Sequence, residues 1–468
     1  MITWNKESGD SMADAVATKK TKSIDMTTGP ITKSIILFAL PMFFGNIFQH
    51  LYNIVDTAIV GNVLGDDALA AVGAVSPLYN MVIGFASGFT NGFSVVLARK
   101  FGAGDEKKMK KTVVWSYVLT LIISLSLTIL SMVFLRPILV ALDTPAKIID
   151  NSDKYLRIVL AFAVVTCAYN MLSALLRAIG NSMAPLYFLI ISSIINGSLD
   201  YVFVKIFGFG IAGAAYATVI AQIISVMLCI IYIISKAKIL AFNFKWLKFD
   251  GTLIKEMMTM GFSMGLMLVV VSIGSVALQG AVNSLDKEII AAHTIARRID
   301  DIFMWTIGTL GMASSTYAGQ NYGAGKMDRV YKGLRNTIGV AMLWSVFSTA
   351  MLFIFGRNLI VLISGSHNSF VIETAYKYIR INVSFFVILS ILIVLRNGLQ
   401  GMGRKIVPVL GSVVELIFKF AAVGIITNKL GYFGVCILEP IIWCVCAMMV
   451  LADFLIFVKK SKQESGGI

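Results

Sequence analysis

Oxygen-bearing side chains lie at similar depth in three strongly apolar segments of the chain. The first segment carries Asp56, the fifth carries Asn196 and Asp200, and the sixth carries Thr218. Asn196 and Asp200 are four residues apart and therefore share one face of a helix. At a rise of about 1.5 Å per residue, the four side chains lie roughly 8–16 Å from the ends of their segments.

These four side chains form an oxygen-rich set of the kind that binds a hard cation such as Na⁺. Two carboxyls crowded in a low-dielectric medium also suit proton carriage, since desolvation and like charge both favour the protonated acid. Interhelical hydrogen bonding is the alternative for Asn196 or Thr218 taken singly. Asp56 and Asp200 have no basic residue nearby in their own segments. The sequence therefore predicts a site that binds a cation such as Na⁺ or carries a proton at these positions.

The first apolar segment carries further polar residues and a proline. Gln49 and Asn53 precede Asp56 in the sequence, and they are candidates for lining a substrate cavity or for polar contacts between helices. Pro41 lies in the same segment, where its missing backbone hydrogen bond can hinge a helix. A static kink is the alternative role for this proline.

Ionisable residues also lie in two apolar segments of the second half of the chain. They are Asp300, Asp301, Glu415 and Lys419. Glu415 and Lys419 can form a salt bridge on one helix face, either as a structural pair or as part of a cavity wall. Asp300 and Asp301 can pair with the two arginines just before them in the sequence, or they can form a second cation site.

The amino-acid composition indicates which type of secondary structure and which class of protein contain these residues. Hydrophobic residues make up 57% of the chain and charged residues 14%, with a mean hydropathy of +0.83. A soluble globular protein is less apolar and about a quarter charged, and a disordered chain needs low hydrophobicity. The apolar segments are also too long and too continuous for an outer-membrane barrel. The composition indicates an all-α polytopic membrane protein.

Twelve segments are apolar over the roughly 20 residues that a membrane-spanning helix needs. They cover residues 34–60, 67–97, 112–135, 155–176, 184–207, 211–235, 256–284, 289–318, 336–363, 378–400, 405–428 and 431–458. An even number of spans places both termini on one side. With the N-terminus inside, 27 of the 40 Lys and Arg residues lie on the inner side and ten on the outer side. The positive-inside rule then predicts that both termini lie in the cytoplasm, and we expect the protein to lie in the plasma membrane.

The chain contains one internal repeat. Gly102-Ala103-Gly104 follows the second span, and Gly323-Ala324-Gly325 follows the eighth at an offset of 221. Gly180 and Gly403 correspond at an offset of 223. Six spans in each half give both halves the same orientation, as in the parallel repeats of some secondary transporters. We therefore expect two six-helix bundles related by a pseudo-two-fold axis along the membrane normal, with a cavity between them.

This repeat divides the chain into lobes, tails and a linker. The predicted parts are a polar cytoplasmic tail at 1–33, an N-lobe at 34–235, a cytoplasmic linker at 236–255, a C-lobe at 256–458 and a second tail at 459–468. The first tail lacks the apolar core of a signal peptide.

Motifs for enzymatic chemistry and for cofactors are missing from the sequence. The five cysteines have neither the spacing of metal ligands nor that of a disulfide framework. The Gly102-Ala103-Gly104 turn lacks the lysine of a phosphate-binding loop. We therefore expect no enzyme activity and no cofactor or metal other than the coupling Na⁺ or H⁺. Because the positive charge follows membrane orientation, we also expect no nucleic-acid partner.

Several short motifs resemble the multidrug and toxic compound extrusion (MATE) family of transporters. They are Val55-Asp56-Thr57, Ala68-Leu69-Ala70-Ala71-Val72, Leu199-Asp200-Tyr201, Ala291-Ala292-His293 and Gly323-Ala324-Gly325. The resemblance covers residues 27–458, and its specificity lies in the order and spacing of the motifs. It implies a twelve-helix, two-lobed antiporter that exchanges Na⁺ or H⁺ for drug-like, often cationic organic compounds, and we expect it to act as a monomer in the lipid bilayer.

The resemblance also implies which residues couple the cation. One branch of the family uses an acid on helix 1, an Asn and an Asp on helix 5 and a Thr on helix 6, which match Asp56, Asn196, Asp200 and Thr218. Another branch uses acids in the middle of helices 7 and 10, and this chain has none there.

Two other functions fit a polytopic chain. A flippase for lipid-linked oligosaccharides can share the two-lobe plan, but it needs several basic residues in its cavity for the pyrophosphate. Only three basic residues lie in the middle of spans here, and each has an acid nearby. An integral-membrane transferase needs a metal-binding or His/Asp cluster, and the sequence has neither.

Overall fold

The computed structural model describes residues 23–142 and 144–465, and within these ranges the chain contains helices and no β-strand. Residues 1–22 of the predicted first tail and 466–468 of the second lie outside the described residues. The first seven helices are α1 (Ile31–Leu64), α2 (Asp66–Gly102), α3 (Glu106–Ala141), α4 (Ala146–Ala161), α5 (Ala163–Ala178), α6 (Met183–Asp200) and α7 (Ile211–Lys236). The remaining helices are α8 (Gly251–Asn283), α9 (Lys287–Gly323), α10 (Met327–Ser364), α11 (Ser369–Val383), α12 (Phe386–Gly401) and α13 (Ile406–Ser465).

Most of these helices match one predicted span each. Among the described residues, eight helical stretches are long and apolar enough to cross a membrane, and two bent pairs bring the number to ten. The pair α4 and α5 bends by 49°, and the pair α11 and α12 bends by 50°. Each pair corresponds to one predicted span. Two further predicted spans, 289–318 and 405–428, correspond to α9 and to the first part of α13.

The internal repeat is visible in the backbone. Three pairs of glycines share an unusual positive φ, at the offsets of 221 or 223 found in the sequence. The pairs are Gly104 (φ 66°) and Gly325 (φ 69°), Gly210 (φ 61°) and Gly431 (φ 54°), and Gly180 (φ 84°) and Gly403 (φ 90°). Only glycine adopts this conformation without steric cost. Gly431 breaks α13 into two helical parts, as Gly210 separates α6 from α7.

The described residues form two compact units. The first contains residues 23–262 together with Gly319–Met327, and the second contains Ser263–Ala318 and residues 328–465. In the first unit α1 and α7 pack on α6, while α2 and α3 pack on α5. Small residues permit these close approaches, because lipid provides no hydrophobic drive between helices. A Cβ atom on Gly213 of α7 would lie 3.2 Å from the backbone of Phe203.

Segments 99–104 and 319–325 cross closely within the first unit. A Cβ atom on Gly102 would lie 1.9 Å from the carbonyl oxygen of Gln320, and one on Gly323 would lie 2.0 Å from that of Arg99. The two glycines correspond to each other in the internal repeat. Side chains at both positions are therefore excluded for steric reasons.

The segment before α1 packs beside this crossing. The backbone nitrogen of Ile24 donates to the carbonyl of Gly180 over 3.0 Å. Asn321 donates its side-chain amide to the carbonyl of Met26 over 2.9 Å, and the Lys326 ammonium donates to that of Thr27 over 3.0 Å. These bonds connect residues 24–27 to both repeats of the sequence.

The segment between α7 and α8 lies against α3. Tyr117 donates its hydroxyl to the carbonyl of Leu240 over 3.2 Å, and the Trp115 indole donates to that of Lys248 over 3.2 Å. The Lys111 ammonium lies 2.9 Å from the carboxylate of Asp250, and this hydrogen bond lowers the pKa of Asp250. The predicted linker thus packs with the first unit.

Candidate cation and substrate site

The first unit contains a polar cavity of about 300 Å³ among α1, α2, α4, α5, α6 and α7. Five carboxamides line it: Gln49, Asn53, Asn80, Asn170 and Gln222. Four tyrosines line it as well: Tyr52, Tyr79, Tyr155 and Tyr169. Among the described lining residues, Asp56 contributes the one carboxyl group and none is basic. The cavity therefore offers many neutral hydrogen-bonding groups and a single acid.

The four predicted cation-site residues lie close to one another, and two of them line this cavity. Asn196 and Asp200 are fully buried, while Thr218 is 6% and Asp56 8% exposed. The Asn196 side-chain amide lies 3.4 Å from the Thr218 hydroxyl oxygen, and the Tyr52 hydroxyl lies 3.3 Å from it. The carboxyl groups of Asp56 and Asp200 lie close enough to interact directly. Asp56 and Thr218 face the cavity.

Hydrogen-bond donors are scarce around this group. One oxygen of Asp56, the amide oxygen of Asn196 and both carboxyl oxygens of Asp200 are buried and have no hydrogen-bond partner among the described residues. Buried polar oxygens are nearly always paired, so each exception calls for an explanation. An oxygen-coordinating cation or a bound proton would satisfy these atoms.

The backbone of α6 changes at this site. Directly after Asp200 the α-helix gives way to a π-helix over Tyr201–Ile206. Short π-helical turns inside helices are frequent at functional sites, because they redirect the side chains around them. The predicted site residue Asp200 is therefore the last residue of regular α-helix.

The other residues predicted in the first half lie on α1. Gln49 and Asn53 line the cavity beside Asp56. Pro41 is buried inside α1.

In the second unit the predicted ionisable residues join a larger charged cluster. The predicted pair of Glu415 and Lys419 is present, with 2.9 Å between the Lys419 nitrogen and a Glu415 oxygen. Arg297 lies 3.6 Å from Asp301. Asp300 is fully buried, and neither of its carboxyl oxygens has a hydrogen-bond partner in the described part of the chain.

The sequence interpretation missed Glu439 at the centre of this cluster. One oxygen of Glu439 lies 2.6 Å from the Arg297 guanidinium, and the other lies 3.8 Å from the Lys419 ammonium. Glu439 stands alone in an apolar segment, and no local spacing connects it to either partner. The internal repeat would have revealed it, because Glu439 corresponds to Thr218 at the offset of 221.

The MatE family model matches residues 41–202 and 263–423, which together cover more than half of the chain. The chain belongs to the MatE family. Among its relatives is the probable multidrug resistance protein YpnP of Bacillus subtilis, which is 27% identical over 419 residues and covers 88% of this chain and 92% of the relative. The multidrug export protein MepA of Staphylococcus aureus is 22% identical over 393 residues, with coverages of 82% and 86%.

Solved structures of MATE proteins have the same fold. A crystal structure of MATE in the bent conformation gives a TM-score of 0.89 at 23% identity, covering 96% of this chain and all of that one. A MOP superfamily transporter from Pyrococcus furiosus gives 0.87 at 23% identity, with coverages of 95% and 99%. The predicted fold of twelve transmembrane helices in two six-helix bundles is thereby confirmed. The family relationship also identifies the chain as a multi-pass membrane transporter.

Proposed function

We propose that this MatE protein is a plasma-membrane antiporter that exports drug-like organic compounds, often cationic, in exchange for Na⁺ or H⁺. The observation that carries the proposal is the group of buried oxygens of Asp56, Asn196 and Asp200 that have no hydrogen-bond partner among the described residues, next to a polar cavity that Asp56 lines. A cation bound there neutralises buried negative charge, and the protein then favours a different conformation. We propose that this coupling drives alternating access in a monomer.

The relatives support export of organic compounds. Their names describe a probable multidrug resistance protein and a multidrug export protein. The cavity of the first unit fits such cargo, since pockets of this size with a few convergent polar groups bind small molecules. Asp56 supplies a counter-charge for a cationic compound, and the surrounding carboxamides and tyrosines supply adaptable hydrogen bonds.

The charge distribution supports a cytoplasmic location for both termini. Placing both termini in the cytoplasm leaves 27 of 40 Lys and Arg residues on the inner side. The crossing of segments 99–104 and 319–325 then lies at the cytoplasmic end of the first unit.

A flippase function is less well supported. Binding a lipid pyrophosphate requires unpaired basic groups in the membrane. The Arg297 guanidinium lies 2.6 Å from Glu439, and the Lys419 ammonium lies 2.9 Å from Glu415. These charges are already neutralised within the protein.

Transport into everted membrane vesicles tests the function. We expect a panel of organic cations to accumulate inside the vesicles when a Na⁺ or an H⁺ gradient is imposed separately, with one of the two gradients sufficient. Collapse of that gradient by the matching ionophore should release the accumulated compound. The proposal would be contradicted if accumulation required ATP, or if no organic cation accumulated under either gradient.

We also propose that Pro41 is the hinge of α1. It lies fifteen residues before Asp56, about 22 Å along the helix, and it removes one backbone hydrogen bond where α1 would have to bend. Spin labels on α1 and α6 should change their separation between pH 5 and pH 8, or with and without Na⁺. The Pro41→Ala variant should reduce this change, whereas Pro137→Ala in α3 should not. An unchanged separation in the unmodified protein would rule out bending even if Asp56 is essential.

A further inference from the structure

The second unit contains counterparts to Asn196 and Thr218 of the candidate cation site and to Asn53, which lines the adjoining cavity. Lys419 lies sixteen residues after Gly403, as Asn196 lies sixteen after Gly180. The two glycines share their backbone conformation, with φ of 90° and 84°. Lys419 therefore takes the place of Asn196 in the repeat.

The other two counterparts follow the repeat offset of 221. Glu439 lies eight residues after Gly431, as Thr218 lies eight after Gly210. Gly274 of α8 corresponds in the same way to Asn53 of α1, and Asp56 corresponds to an alanine. The second unit thus has a different set of side chains at the same positions.

The two sets differ in their hydrogen-bond donors. In the first unit, oxygens of Asp56, Asn196 and Asp200 are buried and unpartnered among the described residues. In the second unit the ammonium of Lys419, which is 2% exposed, lies 2.9 Å from Glu415 and 3.8 Å from Glu439. The second unit therefore holds a positive charge at a position where the first unit holds the neutral amide of Asn196.

Helix α8 is shaped to admit the lysine. A Cβ atom on Gly274 would lie 2.7 Å from Cδ and 3.7 Å from Nζ of Lys419. A larger residue at 274 would displace the aliphatic stem of Lys419. In the first unit the corresponding residue is Asn53, and its side chain lines the cavity.

We propose that the Lys419 ammonium is a covalently tethered cation that fills, in the second unit, the place of the coupling cation in the first. This inference rests on the proposed function, because it assumes that the site in the first unit binds the coupling cation. Removing the ammonium would open a site between Glu415 and Glu439 for a small monovalent cation, namely a primary alkylammonium or an alkali ion.

The charges around Lys419 favour occupation of the opened site. Asp300 of the same unit is fully buried, and both of its oxygens lack partners among the described residues. With Lys419 removed, Arg297 would remain 2.6 Å from Glu439, and His293 would be the other base close to that carboxylate. Breaking a buried ion pair from one side is strongly destabilising, because it leaves an uncompensated charge. A cation of matching size relieves that cost.

Chemical rescue of Lys419→Ala tests the proposal on the purified protein in lipid nanodiscs. We expect its melting temperature to fall by roughly 10 °C. Millimolar ethylammonium should restore most of this loss, because it supplies the ammonium and two of the three carbons that the substitution removes. Ethanol, which is neutral, and tetraethylammonium, which is too large, should not restore it. The unmodified protein and Lys332→Ala, which removes an exposed lysine of the same unit, should not respond to ethylammonium.

A second variant tests the proposal if Lys419→Ala cannot be purified in folded form. The double variant Lys419→Met/Glu415→Gln removes both charges of the 2.9 Å contact, leaves the Arg297–Glu439 pair in place, and should fold without added amine. The proposal is supported if Lys419→Ala can be purified in folded form only when ethylammonium is present throughout. It is also supported if the melting temperature of the double variant does not change when ethylammonium is added. Equal stability of Lys419→Ala with and without the amine, or an equal response of the unmodified protein, overturns it. Neither readout needs transport, so failure here is distinct from failure of the vesicle assay.

Discussion

Asp200→Asn is expected to abolish gradient-driven export while leaving the protein folded, and Asp56→Asn is expected to do the same. Both carboxyl oxygens of Asp200 and one of Asp56 are buried without a hydrogen-bond partner among the described residues. An amide of the same shape cannot take up a proton and provides no negative charge for Na⁺. Because no ion pair is broken, folding should tolerate the change: an unpaired buried acid is costly, and removing its charge relieves that cost.

Export into everted vesicles should fall to the background of vesicles without the protein. Melting temperatures should stay within a few degrees of the unmodified value, since roughly 1 kcal/mol corresponds to a few degrees in proteins of this size. Asp150→Asn is the matched control, because Asp150 is exposed and pairs with Arg136 at 2.9 Å on the surface of the first unit. Native export rates in both Asp56→Asn and Asp200→Asn would show that the coupling site lies elsewhere.

The grouping of the candidate site follows from helical geometry. Asn196 and Asp200 had to share a face because four residues make about one turn, and the structure places both beside Asp56 and Thr218. Their role in coupling remains a prediction. The π-helix after Asp200 could not be predicted, because it depends on how α6 packs and not on a local motif.

The two bent spans show a different limit of sequence interpretation. Bends in helices usually occur at proline or glycine, and neither residue lies at the break after Phe162 or the break after Ser384. Phe162 and Phe385 nevertheless have similar backbone angles, with φ of −102° and −101°, and they correspond at the repeat offset of 223. Once one bend is known, the repeat predicts the other.

Glu439 illustrates the same lesson for charged residues. Local spacing explained the contact of Lys419 with Glu415, because helix neighbours at i,i+4 meet. It did not reveal Glu439, whose partners Lys419 and Arg297 come from distant segments. Applied to every polar residue, the repeat offset aligns Glu439 with Thr218 from the amino-acid sequence alone.

The glycine crossing of the first unit leads to a second prediction with a large effect. Gly102→Ala places a Cβ atom 1.9 Å from the Gln320 carbonyl oxygen, and Gly323→Ala places one 2.0 Å from that of Arg99. Both obstacles are backbone atoms, so no side-chain rotation relieves the clash. Overpacking of this kind costs about 1–3 kcal/mol or more. We expect each variant to separate segments 99–104 and 319–325, to increase hydrogen exchange in both, and to reduce export several-fold.

Gly84→Ala is the matched control in the same helix, because a Cβ atom on Gly84 meets nothing within 4 Å. It should be neutral or stabilising by about 0.5–1 kcal/mol, as alanine is the better helix former. The reciprocal geometry predicts that Gly102→Ala and Gly323→Ala act alike, and that the double variant costs less than their sum because the first clash has already separated the segments. Any conformational cycle that parts these segments must break and re-form both contacts. Unchanged exchange and native export in both single variants would show that the close crossing is not needed for the cycle.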